Sequence, residues 1–257
     1  MQQTNHKPLL DPKLRRRGIY LLPNLFTTAA LFAGFYSIVQ AMNGSYEAAA
    51  MAIFIAMVMD GLDGRVARLT RTQSAFGAEY DSLSDMVSFG VAPALVVYVW
   101  ALKGMGKLGW IAAFVYCACA ALRLARFNTQ LEVADKRYFQ GLPSPAAAAL
   151  IAGLVWIMND YGIKGTDIRW VVWGVTLFAG LTMVSNIRYY SGKDINLRRT
   201  VPFTMVLAIV LFFILIYLGS AHVLFAGFVL YALSGYSAWA WQRIRQRRVR
   251  KAVPPEV

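Results

Sequence analysis

Apolar stretches long enough to cross a lipid bilayer recur along almost the whole chain, and they decide what it can fold into. Eight can be read, at about 20–42, 46–69, 77–102, 108–130, 143–159, 168–188, 202–219 and 221–243. A helix needs roughly 20 apolar residues to cross ~30 Å of hydrocarbon, and the last two stretches are parted only by "GSAH". Of 257 residues, 58% are hydrophobic and 15% charged, where a soluble domain carries roughly 25% charge. Lipid offers no partner to a bare peptide group, so spanning segments must bond their backbone internally, as helices do. The expected fold class is an all-α integral membrane protein, a polytopic helical bundle of about eight transmembrane helices. It reads as one transmembrane domain over 1–257: a basic segment 1–19, a six-helix core 20–188, two additional helices within 202–243, and a basic tail 244–257.

Charge orients the bundle. If both termini share one side, that side collects every Lys and Arg except Lys103, Lys107, Lys164 and Arg169. The positive-inside rule makes the basic side cytoplasmic, with both termini there, in the cell (inner or plasma) membrane. The net charge of +13 then points to anionic membrane lipids as the partner of the basic tail, and not to nucleic acid. The polar, basic N-terminal segment lacks the apolar core and cleavage site of a signal peptide. Cys117 and Cys119 lie in the apolar "VYCACAAL" with no further cysteine or nearby histidine to complete a metal site. They read as small packing residues. Trp100, Trp110 and Trp170 read as lipid-facing or interfacial residues.

Against this apolar background, "MDGLDGRVAR" and "DSLSD" stand out. Asp60 and Asp63 are three apart, and Asp81 and Asp85 four apart, so each pair projects from one face of its helix. The second span runs towards the cytoplasm and the third starts back from it, which lets the two pairs face each other at similar depth. Each acidic residue at the centre of a membrane helix costs roughly 2.5–3.5 kcal/mol. Protons, the nearby Arg65 and Arg68, or divalent cations would have to offset that cost. Four hard oxygen ligands suit two divalent cations, Mg²⁺ or Mn²⁺, in a two-metal centre. Gly61 and Gly64 fit either close helix packing or close approach of a ligand to the backbone.

The spacing D-x2-D-G-x2-A-R-x8-G-x3-D-x3-D, carried by Asp60, Asp63, Gly64, Ala67, Arg68, Gly77, Asp81 and Asp85, resembles the signature of the CDP-alcohol phosphotransferase family. Flanking stretches "LLPNLFTTAALFAGFYSI", "ALRLARFN" and "YFQGLPSPAAAA" are similar to those of bacterial members that take L-serine as the acceptor alcohol. The resemblance implies a substrate pair of CDP-diacylglycerol and L-serine, transfer of the phosphatidyl group to the serine hydroxyl, and release of CMP. It implies that Asp60, Asp63, Asp81 and Asp85 hold the metals, with Asp85 also the general base. Gly64, Ala67 and Arg68 fall where the family binds the CDP moiety, Ser74 near the diphosphate, and Asn24 and Thr27 in the nucleotide pocket. A homodimer is expected on the same ground.

Serine carries a carboxylate, for which an arginine fork is the usual partner. Arg123 and Arg126, one turn apart in "LRLARFN", together with Asn128 and the turn beginning at Gly141, form the candidate serine site. The competing reading of both arginines is anchorage of the helix end. Arg126→Ala is expected to impair turnover and leave the fold intact. Rival functions are a family member with a phosphorylated acceptor (glycerol 3-phosphate or an inositol phosphate), and a cation or proton transporter, since intramembrane carboxylates also mark ion paths.

Overall fold

The computed structural model describes residues 12–130, 137–191 and 203–252. Helix α1, Pro12–Met42, and helix α2, Tyr46–Thr70, form an antiparallel pair joined through Gly44. Helix α3, Ala75–Asp85, runs without a break into two π-helical segments, Met86–Val91 and Tyr98–Leu102, flanking α4, Ala92–Val97. Helix α5, Lys107–Gln130, returns to the starting end of α3. Strand β1, Tyr138–Gln140, leads to α6, Ser144–Asp160, then α7, Arg169–Val184, strand β2, Arg188–Tyr190, and α8, Phe203–Ala252.

Small residues let these helices approach. Ala30, Ala33, Ala41, Ala49, Ala50, Ala52 and Ala56 are buried along α1 and α2, and Ala146–Ala149 along α6. This is how helices pack when lipid supplies no hydrophobic drive between them. A methyl group on Gly34 would collide with the backbone of Ser88, so α1 lies directly on the first π segment. Such a segment leaves carbonyls outside the regular ladder. Here the hydroxyl of Tyr116 donates to Phe89 O at 3.0 Å, and that of Ser88 donates to Ala30 O at 3.0 Å. Large apolar side chains such as Phe32, Phe35, Ile55, Phe114, Leu122, Leu181 and Leu230 point outward, as lipid-facing residues do.

Among the described residues, four helical stretches are long and apolar enough to span a membrane: Leu22–Met42, Ala75–Met105, Lys107–Thr129 and Ser220–Arg245. Ser144–Asp160 and Arg169–Val184 are shorter apolar helices. Two expectations need correction. The two helices expected within 202–243 are one continuous helix, α8. Nothing in "GSAH" forbids helical backbone, since only proline both loses the donor and clashes with the preceding turn. The fold is otherwise mostly helical, as expected of an all-α membrane protein, with a short ribbon in which β1 and β2 pair antiparallel, Phe139 opposite Tyr189. Finally, Trp100 is buried, its indole and carbonyl packed against Gly165, and does not face lipid.

The two ends of the bundle differ in charge. The α6–α7 connector packs on the α4–α5 turn through Gly165 on Trp100, and Trp173 Nε1 donates to Leu108 O at 3.1 Å. Lys103, Lys107, Lys164 and Arg169 therefore share that end. The acidic pairs and the β1–β2 ribbon occupy the other.

Candidate functional site

Helix α2 carries Asp60 and Asp63 on the face turned to α3, which carries Asp81 and Asp85. The chain between them is short and strictly shaped. Arg71 closes α2 in a left-handed conformation (φ 56°), with Thr72 N donating to Ala67 O at 3.1 Å. Ser74 then caps α3, its hydroxyl oxygen accepting the Gly77 N–H at 3.0 Å, which satisfies one of the donors a helix start leaves open. The turn sends α3 back against α1, so that its carboxylates face those of α2. The carboxylates meet in two pairs at hydrogen-bonding reach, Asp60 with Asp85 and Asp63 with Asp81.

Oxygens of Asp60, Asp63 and Asp81 all lie within 4.8 Å of one another. A cluster of that size could hold a metal ion. Asp63 is buried (5% exposed) and accepts a hydrogen bond from the Thr27 hydroxyl at 2.7 Å. Asp81 Oδ1 is buried, and among the described residues no donor reaches it. An orphaned carboxylate oxygen among like charges is costly unless a cation or proton answers it. The donor set is all oxygen, which suits a hard divalent ion.

Beside Asp63 and Asp81 opens a cleft of about 320 Å³, lined by Asn24, Thr27, Gly64, Ala67, Arg68, Ser74 and Gly77, with Pro23, Thr72, Gln73 and Ala78 completing the wall. That volume is within the range of small-molecule pockets. All six residues expected at the nucleotide, Asn24, Thr27, Gly64, Ala67, Arg68 and Ser74, border this one space. A methyl group on Gly77 would press on Ser74 Oγ and Asn24 Oδ1, so the missing side chain keeps the cleft open where α1 and α3 converge. Thr72 and Gln73 escaped notice in the sequence because they belong to the turn, where no helical period marks a facing direction.

The four residues expected at serine divide. Arg123 is buried (7% exposed), close enough to Asp60 and Asp85 to act on their charge, and donates from Nη1 to Ser144 Oγ at 2.8 Å. Asn128 donates to the Ser82 hydroxyl at 2.9 Å and ties the end of α5 to α3. Arg126 turns away from the carboxylates towards the β1–β2 ribbon, where its terminal nitrogens meet backbone carbonyls. Gly141 (φ 75°) lies between β1 and α6, its Cα side against Met183 O.

The sequence model of the CDP-alcohol phosphatidyltransferase family matches residues 20–182. The chain belongs to that family. Among its relatives is the CDP-diacylglycerol–serine O-phosphatidyltransferase of Helicobacter pylori (strain J99 / ATCC 700824), 35% identical over 229 residues, covering 88% of this chain and 94% of that one. Similarity extends to proteins of the same name from Mycobacterium tuberculosis (strain ATCC 25618 / H37Rv), 42% identical over 155 residues, 57% of this chain and 54% of that one. The Saccharomyces cerevisiae protein of that name is 39% identical over 142 residues, 50% of this chain and 51% of that one. The family match ends within α7, so β2 and α8 lie beyond it.

Proposed function

We propose that this chain is a phosphatidylserine synthase: it transfers the phosphatidyl group of CDP-diacylglycerol to L-serine and releases CMP. The observation that carries the proposal is the cleft of Asn24, Thr27, Gly64, Ala67, Arg68 and Ser74 opening directly onto Asp63 and Asp81. The relatives named for this activity supply the acceptor.

The two carboxylate pairs divide the work. Asp63 and Asp81 border the nucleotide cleft. The start of α3 and the Arg68 guanidinium offer positive potential to a diphosphate there. Asp60 and Asp85 lie on the side of Arg123, where the acceptor would enter. The serine hydroxyl oxygen attacks the phosphorus bearing diacylglycerol, the bond from that phosphorus to the CMP oxygen breaks, and Asp85 takes the hydroxyl proton. A base at that position is needed because alkoxide character is unfavourable near neutral pH. Arg123, with donors left beyond its bond to Ser144, is the residue to meet the serine carboxylate. Two Mg²⁺ or Mn²⁺ ions held by Asp60, Asp63, Asp81 and Asp85 would neutralise the diphosphate and the departing CMP.

On this reading the site faces the cytoplasm of the cell membrane, with both termini on that side. The support is that the far end holds only Lys103, Lys107, Lys164 and Arg169 of the described basic residues, while Arg65, Arg68, Arg71, Arg123, Arg126 and Arg188 gather at the end that carries the site. A homodimer is the assembly expected from the family. The test is CMP release by purified protein given CDP-diacylglycerol and Mg²⁺ or Mn²⁺ while the alcohol is varied. Serine-dependent release is expected. Release with glycerol 3-phosphate and none with serine would overturn the acceptor, and none with any alcohol would overturn the reaction.

A further inference from the structure

A helix leaves its last four carbonyls without intrahelical donors, and at the end of α7 one side chain answers most of them. Arg126 Nη1 donates to Val184 O at 3.2 Å and Asn186 Oδ1 at 3.5 Å. Its Nη2 donates to Met183 O and Ser185 O, each at 3.3 Å, and to Gln140 O at 2.8 Å. The remaining carbonyl of that turn, Thr182 O, accepts the Leu142 N–H at 3.1 Å and the Ser185 hydroxyl at 2.8 Å. A planar guanidinium is suited to this, and its positive charge complements the negative end of the helix dipole.

The bond to Gln140 O matters beyond α7. Gln140 ends β1, and four residues later Ser144 begins α6 and accepts from Arg123. Arg123 and Arg126 are three apart on α5, so a single helical turn holds the Gln140–Ser144 connector at both ends. Between them the Gly141 N–H donates to Ile187 O at 2.8 Å. Only a residue at ease with φ 75° and lacking Cβ fits against Met183 O there.

We infer that Arg126 is a positioning residue for the acceptor side of the site: it seats the Gln140–Ser144 connector, and through Ser144 it fixes the direction of Arg123 towards Asp60 and Asp85. Its fork is committed to carbonyls and is not the ligand of the serine carboxylate. The inference rests on the proposed activity only for its kinetic readout. Loss of Arg126 frees the connector, Ser144 shifts, and Arg123 loses its anchor.

A double-mutant cycle tests this, with kcat/KM for serine measured per mole of folded protein alongside melting temperatures in detergent. Ser144→Ala and Arg126→Ala are each expected to cost about tenfold, as loss of hydrogen bonds to a charged group does. Because both act on Arg123 by one route, the double variant is expected to lose about tenfold as well, where independent roles would multiply to about a hundredfold. Arg126→Ala should also lower the melting temperature by several degrees. Multiplicative losses overturn the inference, as does a raised serine KM with an unmoved melting temperature. If Arg126→Ala does not fold, Arg126→Lys, which keeps the charge and lacks the fork, takes its place in the cycle: a shared loss supports the inference and a multiplied one overturns it. If wild-type protein releases no CMP with serine, the functional reading fails, and the melting temperatures of Arg126→Ala and Arg126→Lys still decide whether the clasp exists.

Discussion

Around Asp60, Asp63, Asp81 and Asp85, four carboxylates share two arginines and the Thr27 hydroxyl, and one buried oxygen of Asp81 has no donor among the described residues. Around Gln140 and Thr182–Asn186, at the same end of the bundle, the balance is reversed: nearly every exposed carbonyl of a helix end is answered, mostly by Arg126. The first region stores repulsion that only something brought from outside can relieve. The second commits its polar groups internally and has little left to offer a ligand. Both contain arginine and lie among apolar helices, so residue type alone does not tell them apart. What separates a site from a fastening here is whether the polar groups are already satisfied.

The largest effect should come from breaking the unsatisfied region. Asp85→Asn keeps the shape and removes the proposed proton acceptor, and loss of a general base lowers turnover by about 10²–10⁴-fold. Stability should move the opposite way, because one of four clustered negative charges is gone. A melting temperature in metal-free buffer that stays level or rises, together with lost CMP release, is the expected pair of readings. Collapse of the fold would place Asp85 among the fastenings. Next in size is the response to cations. At a concentration of Mg²⁺ or Mn²⁺ a hundred times Kd, binding to the native state alone adds about 2.7 kcal/mol. For a chain of this size that is a rise of roughly 5–10 °C in melting temperature, reversed by chelator and absent in Asp81→Asn.

The same contrast explains what can be read from the sequence. Asp60, Asp63, Asp81 and Asp85 are legible because charge in an apolar run is expensive and because intervals of three and four put each pair on one helix face. The cleft residues Asn24, Gly64, Arg68 and Ser74 are legible only through the resemblance to the family, since their own spacing does not mark a pocket. The ribbon is not. Its strands are three residues each, some fifty residues apart in the chain, and their pairing leaves no periodic mark. The role of Arg126 is hidden because its partners are backbone carbonyls, which every residue carries. The run through "GSAH" in α8 misleads because small polar residues permit a turn without requiring one. The π segments after Asp85 follow from three-dimensional packing, with Gly34 and Tyr116 pressing on them, and no local composition marks them.

A smaller effect sharpens the functional side of the comparison. Arg68 lines the cleft beside Asp63 and Asp81, so on the proposed reading it serves a diphosphate as a charge partner without being buried among backbone carbonyls. Arg68→Ala should raise KM for CDP-diacylglycerol about tenfold, the loss of a single charge-assisted hydrogen bond, and leave KM for serine unchanged. Equal shifts in both constants would mean that the cleft is not confined to one substrate.

The smallest effect belongs to the ribbon's far side. Tyr189 is fully buried, and its hydroxyl donates to Ala232 O at 2.9 Å while Gly235 makes room for its ring. Ala232 lies inside α8, where a carbonyl already accepts the helix's own N–H four residues on, so the tyrosine supplies a second bond to an oxygen that would not be orphaned without it. Tyr189→Phe keeps the ring and deletes that second bond, which should cost about 1 kcal/mol and lower the melting temperature by about 2–4 °C. Turnover at temperatures well below melting should stay within about twofold of wild type, since no group of the cleft or the carboxylate cluster is touched. A larger loss of turnover than of stability would show that α8, beyond the family-matched residues, holds the acceptor side in place and does more than pack against it.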